Sequence, residues 1–356
     1  MTACYKIFNT RNKLEWQNAL QENNLCFADI YYSPEYYEIY QNNGDGTAQC
    51  FYFEDDGKIA LYPFLINSIN KLGFNLGREY YDIQGAYGYN GVIYSSMEND
   101  FIGNFHKTFN EYCFQNNIIA EFTRFNPLLD NQEFSRNNLE TIYDRKTVII
   151  DLSNSYEQIW GSEYTSNNRN MVRKAKKNNI EIIKTRGLNE ILKFAELYRE
   201  TMNNLNSDDY YKFSDEYFSN LHNLLATHYN LFMAYFNGNL IAGSLFLNYG
   251  KHFHYHLSAR KKEFSQLAAN NLIIDSAIKF AIENNFNYLH LGGGTDRKED
   301  NTLFKFKKNF SQELKEFYIG KKVHNKVIYM QVINDWEKLY PEKAKLCPGN
   351  LLRYRI

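Results

Sequence analysis

The chain has 356 residues, enough for about two ordinary domains, each able to bury a core of its own. Hydrophobic residues make up 44% and aromatics 17%, with 30 Tyr and 27 Phe against five Pro, which excludes the aromatic-poor profile of disordered chains. A formal net charge of −1 excludes a global basic field, so any contact with a nucleotide or nucleic acid must come from a local patch.

The N-terminus, MTACYKIFNTRNKLEW, lacks a hydrophobic signal core, and no apolar run approaches the roughly 20 residues that span a bilayer. Cys4, Cys26, Cys50, Cys113 and Cys347 are odd in number and scattered, with no close pair to suggest zinc or a redox dithiol. These features predict a soluble protein of a reducing cytoplasm.

Shifting the chain by 181 positions brings two stretches into line. In the first, Ser33-Pro-Glu-Tyr-Tyr37 opens a helix, followed by the strand CFYFE, the turn Asp56-Gly57 and the strand KIALYPFLI. In the second, Ser214-Asp-Glu-Tyr-Phe218 opens a helix, followed by LFMAYF, the turn Asn237-Gly238 and NLIAGSLFLNY. Asp-Gly and Asn-Gly between apolar runs predict type I′ hairpins, whose two central residues need positive φ. Each half thus carries helix, strand, tight turn and strand, in the same order and spacing.

Between the two repeats, YYDIQGAYGYNGV packs Asp82, Tyr87, Tyr89 and three glycines into a short stretch, either a wall of ring and hydroxyl suited to sugar or base stacking or a Tyr-rich loop. TVIIDLS, from Thr147 to Ser153, reads as a strand that opens a second lobe, with the boundary near 145. In SNNRNMVRKAKKNN, Arg169, Arg173, Lys174, Lys176 and Lys177 stand without an acid. As a helix this is a cationic stripe opposite Met171 and Val172, either a phosphate site or a solvated face.

KHFHYHLSA alternates like a strand that sets His252, His254 and His256 on one face, without the carboxylates and spaced fourth ligand of a metal centre. His254 and His256 are candidates to line a cleft as donor or base, or to serve structure alone. QLAANNLIIDSAIKFAIENN has helical spacing, and NFNYLHLGGG is a strand running into Gly292, Gly293 and Gly294. That turn either offers backbone N–H groups to an anion or carbonyl, or is only tight. If Asn301 onward is helical, Leu303, Phe306, Lys307 and Phe310 share one face and Lys307 points inward, where an ammonium needs a partner, a pocket or a ligand. If it is a strand, Lys307 is a surface charge. There is no Gly-x-Ser-x-Gly elbow and no cysteine in a catalytic context, so direct transfer in a ternary complex is the mechanism that needs least.

In order along the chain, YDIQGAYGYNG, Trp160 with SNNRNMVRKAKKNNIEI, YHLSA with NNLIIDSAI, and HLGGGTD with LFKFKKNF resemble the Fem-type aminoacyltransferases and their GNAT-like relatives in polysaccharide gene clusters. The resemblance covers roughly residues 80 to 310. It implies a mixed α/β (α+β) fold of two tandem GNAT-like lobes, each a mixed, mostly antiparallel sheet flanked by helices. The lobes are expected at 1–145 and 146–325, with 326–356 packing back on the first. It further implies acyl or aminoacyl transfer to an amine of a nucleotide- or lipid-linked sugar or a muropeptide, and no permanently bound cofactor. Acyl-CoA or aminoacyl-tRNA is the co-substrate, with tRNA then a partner. By this resemblance Lys307 matches the lysine of the Phe-Lys-x-x-Phe segment and acts beside the transferring carbonyl; His256, a candidate from the strand pattern and not from the resemblance, is the second catalytic expectation. Arg169 and Arg173 would hold phosphate.

Where CoA-using relatives carry a glycine-rich pyrophosphate loop, SQLAANNLIID has no glycine, and the charged helical-hairpin arm of bridge-forming members is not evident. The donor stays open between the two. Two other readings stand beside this one: a CoA-dependent N-acetyltransferase of a small amine, and a non-catalytic sugar- or nucleotide-binding protein. The oligomeric state is not legible.

Overall fold

The structure is a computed structural model that describes residues 3–21, 25, 29–346 and 349–356. Cys26 and Cys347 lie outside the described residues, whereas Cys50 and Cys113 are buried free thiols and Cys4 is exposed. The chain divides into two compact units, one formed by Met1–Asp144 with Phe317–Ile356 and the other by Arg145–Glu316. Among the described residues no helix is long and apolar enough to cross a membrane.

The first unit contains β1 (Cys4–Asn9), β2 (Thr47–Asp55), β3 (Lys58–Ser68), β4 (Tyr81–Gln84), β5 (Ile93–Tyr94) and β6 (Ile118–Arg124). Strands β1 to β4 pair antiparallel in sequence, β4 pairs parallel with β6, and β5 pairs with β3. A parallel step needs a crossover, and the helix Asn99–Gln115 supplies it. Phe101, Phe105 and Phe109 recur at helical spacing on its buried face and meet Phe51 and Phe53 of β2 edge-on or tilted. Full burial of a Phe side chain contributes about 1.5–3 kcal/mol, so this aromatic seam is the chief cohesive element of the unit.

The second unit contains β7 (Glu140–Asp151), whose last residues enter it, β8 (Glu181–Thr185), β9 (Tyr229–Phe236), β10 (Asn239–Tyr249), β11 (His252–Arg260) and β12 (Tyr288–Gly292). Its sheet order is β7-β12-β11-β10-β9-β8, antiparallel throughout except for the parallel step from β11 to β12. The helix Ala269–Glu283 makes that crossover and buries Leu272, Ile273, Ala277, Ile278 and Ala281. It packs beside the helix Ser166–Lys177, which buries Val172 and Ala175 in the same core.

After the second unit the chain returns to the first through β13 (Leu314–Val323), whose residues Ile319–Val323 pair antiparallel with β6. The helix Lys326–Leu339, capped by Asn325, then buries Val332, Ile333 and Trp336 in a core that also takes Tyr354.

The repeat read in the sequence is present in both units. Ser33 and Ser214 each accept a hydrogen bond from the backbone N–H three residues on, opening the helices Pro34–Asn42 and Asp215–Leu225. Each helix leads into an antiparallel hairpin, β2-β3 and β9-β10. The turns hold Asp56 at φ 50° with Gly57 at 75°, and Asn237 at 49° with Gly238 at 76°, the left-handed pair that a type I′ turn requires. Gly238→Val therefore places a β-branched residue where φ must be positive, and should cost about 1–3 kcal/mol of unfolding free energy in a urea titration. Ser214→Ala should cost about 1 kcal/mol by the same measurement.

Candidate functional site

Two irregularities in β11 create the site. Its parallel pairing with β12 covers only His252–His254 opposite Tyr288–His290, so from Tyr255 onward β11 runs without β12 beside it. On its other side Phe246 pairs with Tyr255 and Leu245 with Leu257, which leaves His256 as the extra residue of a β-bulge. A bulge resets the alternation, so Tyr255 and Ser258, three residues apart, come to one face. There Ser244 Oγ donates to Ser258 Oγ at 3.0 Å, and Asn270 Nδ2, from the first turn of the helix Ala269–Glu283, donates to Ser258 Oγ at 3.4 Å. Burial pushes the Tyr255 hydroxyl pKa up, and its hydrogen bonds with Ser258 and Ser244 oppose the rise.

Over this seam stands Lys307. The segment after the glycines is the helix Thr302–Lys308, and Asn301 Oδ1 caps it by accepting from the N–H groups of Leu303 and Phe304, each at 3.1 Å. The helical alternative therefore holds, but its most buried face carries Phe304, Lys307 and Phe310 rather than Leu303 and Phe306. Lys307 is 6% exposed, its Nζ donates to Gly293 O at 2.7 Å, and Nζ lies 5.6 Å from the centre of the Tyr255 ring. Burial, with the nearby positive charge of Arg145, pushes the amine down to about 7.

The glycine turn after β12 engages its carbonyls, with Gly293 O on Lys307 and Gly294 O accepting from Arg145 at 2.8 Å. Gly292 is the last residue of β12. A Cβ on Gly293 would sit 3.0 Å from Lys146 O and Arg145 Cδ, and one on Gly294 would sit 2.5 Å from Asn301 Oδ1. Close approach to the cap and to Arg145 is thus a reason for glycine at both.

The basic stripe is helical, capped by Thr165, whose Oγ1 accepts from Asn168 N–H at 3.2 Å. Arg169 donates to the carbonyls of Trp160 and Gly161 at 3.2 Å and of Tyr164 at 2.5 Å, clasping the π-helical turn Ile159–Glu163. Arg173 stays exposed, 5.4 Å from the centre of the Trp160 ring, and bonds Asn170 Oδ1 at 3.2 Å. Lys176 reaches the buried Asp275 at 3.3 Å, which also accepts from the Tyr156 hydroxyl at 2.7 Å.

Lys307 and His256 are not brought together. His256 lies across β11 from Tyr255, with Nε2 3.4 Å from the Tyr217 hydroxyl, and burial together with the charge of His254 pushes its imidazole down to about 3. His254 is buried with its ring 5.7 Å from that of His290.

The remaining predicted residues belong to the first unit. Asp82 is buried on β4 in an ion pair with Arg355 Nε at 2.8 Å, and Arg355 also donates to the carbonyls of Asn67 and Ser68. Burial pushes the Asp82 carboxyl up, and Arg355 opposes the shift. Tyr87 and Tyr89 are half-buried on the loop after β4. Tyr89 meets Tyr31 and Phe317 edge-on at 5.4 and 5.3 Å, and Tyr87 O accepts from the Tyr36 hydroxyl. Asn90 holds the loop to β6 by exchanging bonds with the Arg124 backbone at 2.6 and 3.0 Å.

Sequence reasoning missed Arg145, Tyr255, Ser258 and Asn270. Tyr255 sits inside HFHYH, whose alternation singles out the histidines, and the bulge that joins it to Ser258 has no glycine to announce it. Arg145 is brought to the turn by a contact 149 residues away in sequence.

The model of the acetyltransferase (GNAT) domain family matches residues 164–308, which hold the basic helix, β11, β12 and Lys307. The match covers less than half of the chain, and it supports an acyltransferase through a GNAT-type domain at residues 164–308. The chain has the fold of FemX, with a TM-score of 0.71 at 14% identity over 93% of this chain and 99% of that one. It is also similar to L-PGS from Bacillus licheniformis, with a TM-score of 0.56 at 11% identity over 87% of this chain and 92% of that one. A C-terminal domain assigned to a lysylphosphatidylglycerol synthetase of Agrobacterium fabrum gives 0.55 at 12% identity, over 89% and 94%. At these identities the likeness is one of fold. No curated protein matches the sequence.

The depressed Lys307 amine makes stability depend on pH. Its folded-state pKa, about 7, lies below the ordinary 10.5, so between those values the unfolded chain holds the extra proton and stability rises with pH. The unfolding free energy should climb by up to about 1.4 kcal/mol per unit from pH 7 to 10 on account of this group. Lys307→Met should remove that slope and be the more stable protein at pH 7, as read by urea titrations across the range.

Proposed function

We propose that this protein transfers an acyl or aminoacyl group to an amine of a cell-envelope sugar or peptidoglycan precursor, directly from donor to acceptor. The observation that carries the reading is Lys307, a desolvated amine poised near neutrality beside the open length of β11. The acceptor amine, once deprotonated, attacks the donor carbonyl. A C–N bond forms as the carbonyl oxygen takes negative charge, then the bond to the thiol or ribose oxygen breaks and the leaving group takes up a proton. The Lys307 ammonium stabilises the oxyanion, the step where fixed charge counts most. Arg173 offers surface charge to a donor phosphate, while Arg169 shapes the turn beneath it. Tyr87 and Tyr89 offer ring faces to an acceptor sugar.

The likeness to FemX, and to a domain whose name specifies lysyl transfer, supports an aminoacyl donor and a cell-envelope acceptor, sugar, peptide or lipid. The acetyltransferase model over residues 164–308 supports the second reading, an acyl-CoA donor and a small amine. A panel of acyl-CoA and aminoacyl-tRNA donors, with UDP-linked amino sugars and muropeptides as acceptors, separates the two through thermal stabilisation and turnover.

With the cognate pair, Lys307→Ala should lower kcat/KM by about 10²–10³ while the protein stays folded. In the parent kcat/KM should fall as pH rises through about 7, and Lys307→Arg, which keeps its charge, should move that limb to higher pH. Turnover unchanged in Lys307→Ala removes the lysine from the mechanism.

A further inference from the structure

Beside Lys307 two helices meet at their first turns, and their side chains leave one donor and one acceptor unmatched. Asn168, on the helix Ser166–Lys177, is 0% exposed. Its Oδ1 accepts from Asn271 Nδ2 at 2.8 Å, and its Nδ2 has no hydrogen-bond partner among the described residues. Asn270, half-buried on the helix Ala269–Glu283, donates through Nδ2 to Ser258, and its buried Oδ1 has no partner among the described residues. Buried polar atoms are nearly always satisfied, so two unmatched ones of opposite kind in one polar seam ask for an explanation.

The seam is continuous with the lysine. Ser258 bonds Tyr255, whose ring lies under Lys307, and Thr165, the cap of the first helix, donates to Asn309 Oδ1 at 2.9 Å, two residues after Lys307. We propose that Asn168 and Asn270 form a subsite for a secondary amide of a substrate, Asn168 Nδ2 donating to its C=O and Asn270 Oδ1 accepting from its N–H. A carboxylate would use only the donor and an ammonium only the acceptor, whereas a secondary amide uses both. Such an amide is carried by the pantetheine arm of a thioester donor and by the backbone of a peptide acceptor. The inference rests on the transfer reading and names a specificity determinant within it.

Calorimetric titration of the full chain with pantetheine and with N-acetyl-alanyl-alanine tests it, beside 2-mercaptoethanol and alanine, which lack the amide. One amide probe should bind while the amide-free compounds do not, and the one that binds tells whether donor or acceptor brings the amide. Asn168→Leu and Asn270→Leu should each weaken that binding about tenfold, and Asn270→Asp, which keeps the acceptor, should retain it. Failure of both amide probes to bind, or binding that survives both leucine substitutions, overturns the proposal. Asn270 is half-exposed, so Asn270→Leu carries the test if Asn168→Leu does not fold. Calorimetry reads binding without turnover, so loss of the transfer reading would show separately, as bound probe with no reaction.

Discussion

An ammonium group withdrawn from water is the constraint around which the second unit is arranged. Burying the Lys307 amine disfavours its charged form, the surroundings deepen the effect with Arg145, and the Gly293 carbonyl and the Tyr255 ring face are what meet it in return. Several irregularities surround it. Glycines 293 and 294 let carbonyls reach Lys307 and Arg145, Asn301 caps the short helix, and the bulge at His256 turns Tyr255 and Ser258 to the same side. A buried amine held near neutrality is what a transfer site working at ordinary pH would use.

The duplicated helix and hairpin show what shared architecture does and does not carry. In both units a serine cap, a helix and a type I′ turn set a strand pair in place. In the first unit the β3-β4 step is followed by a loop of glycines and tyrosines tied down by Asn90. In the second, β10 leads to a bulged strand with an open edge. The same scaffold thus carries a tyrosine-rich loop in one copy and a desolvated cation in the other, in keeping with the rule that function resides in what is placed on a fold rather than in the fold.

Much of this was legible before the structure. The hairpins were, because Asp-Gly and Asn-Gly leave few alternatives, and so was the stripe from Arg169 to Lys177, because its acids are missing. The inward turn of Lys307 was legible only as one of two options, since a seven-residue helix and a strand make similar patterns in LFKFKKNF. The fate of Arg169 was not legible, because a guanidinium that clasps three carbonyls and one that awaits phosphate look alike in sequence. Nor was the pairing of Asp82 with Arg355, which joins positions 273 residues apart. Side-chain chemistry announces that a charge needs a partner, and topology alone says which partner it finds.

That last pairing bears on how the chain comes off the ribosome. The first unit is interrupted by the whole of the second, and its β4 carboxylate meets the guanidinium that neutralises it only after the second unit has been made. Until then the nascent unit must either leave Asp82 in water, and so stay partly open, or bury it uncompensated at a cost of several kcal/mol. The second unit is one continuous stretch, Arg145–Glu316, made in full before Arg355, and is free to mature first. Synthesis order and folding order are therefore expected to differ, with the first unit waiting on a residue made after the second.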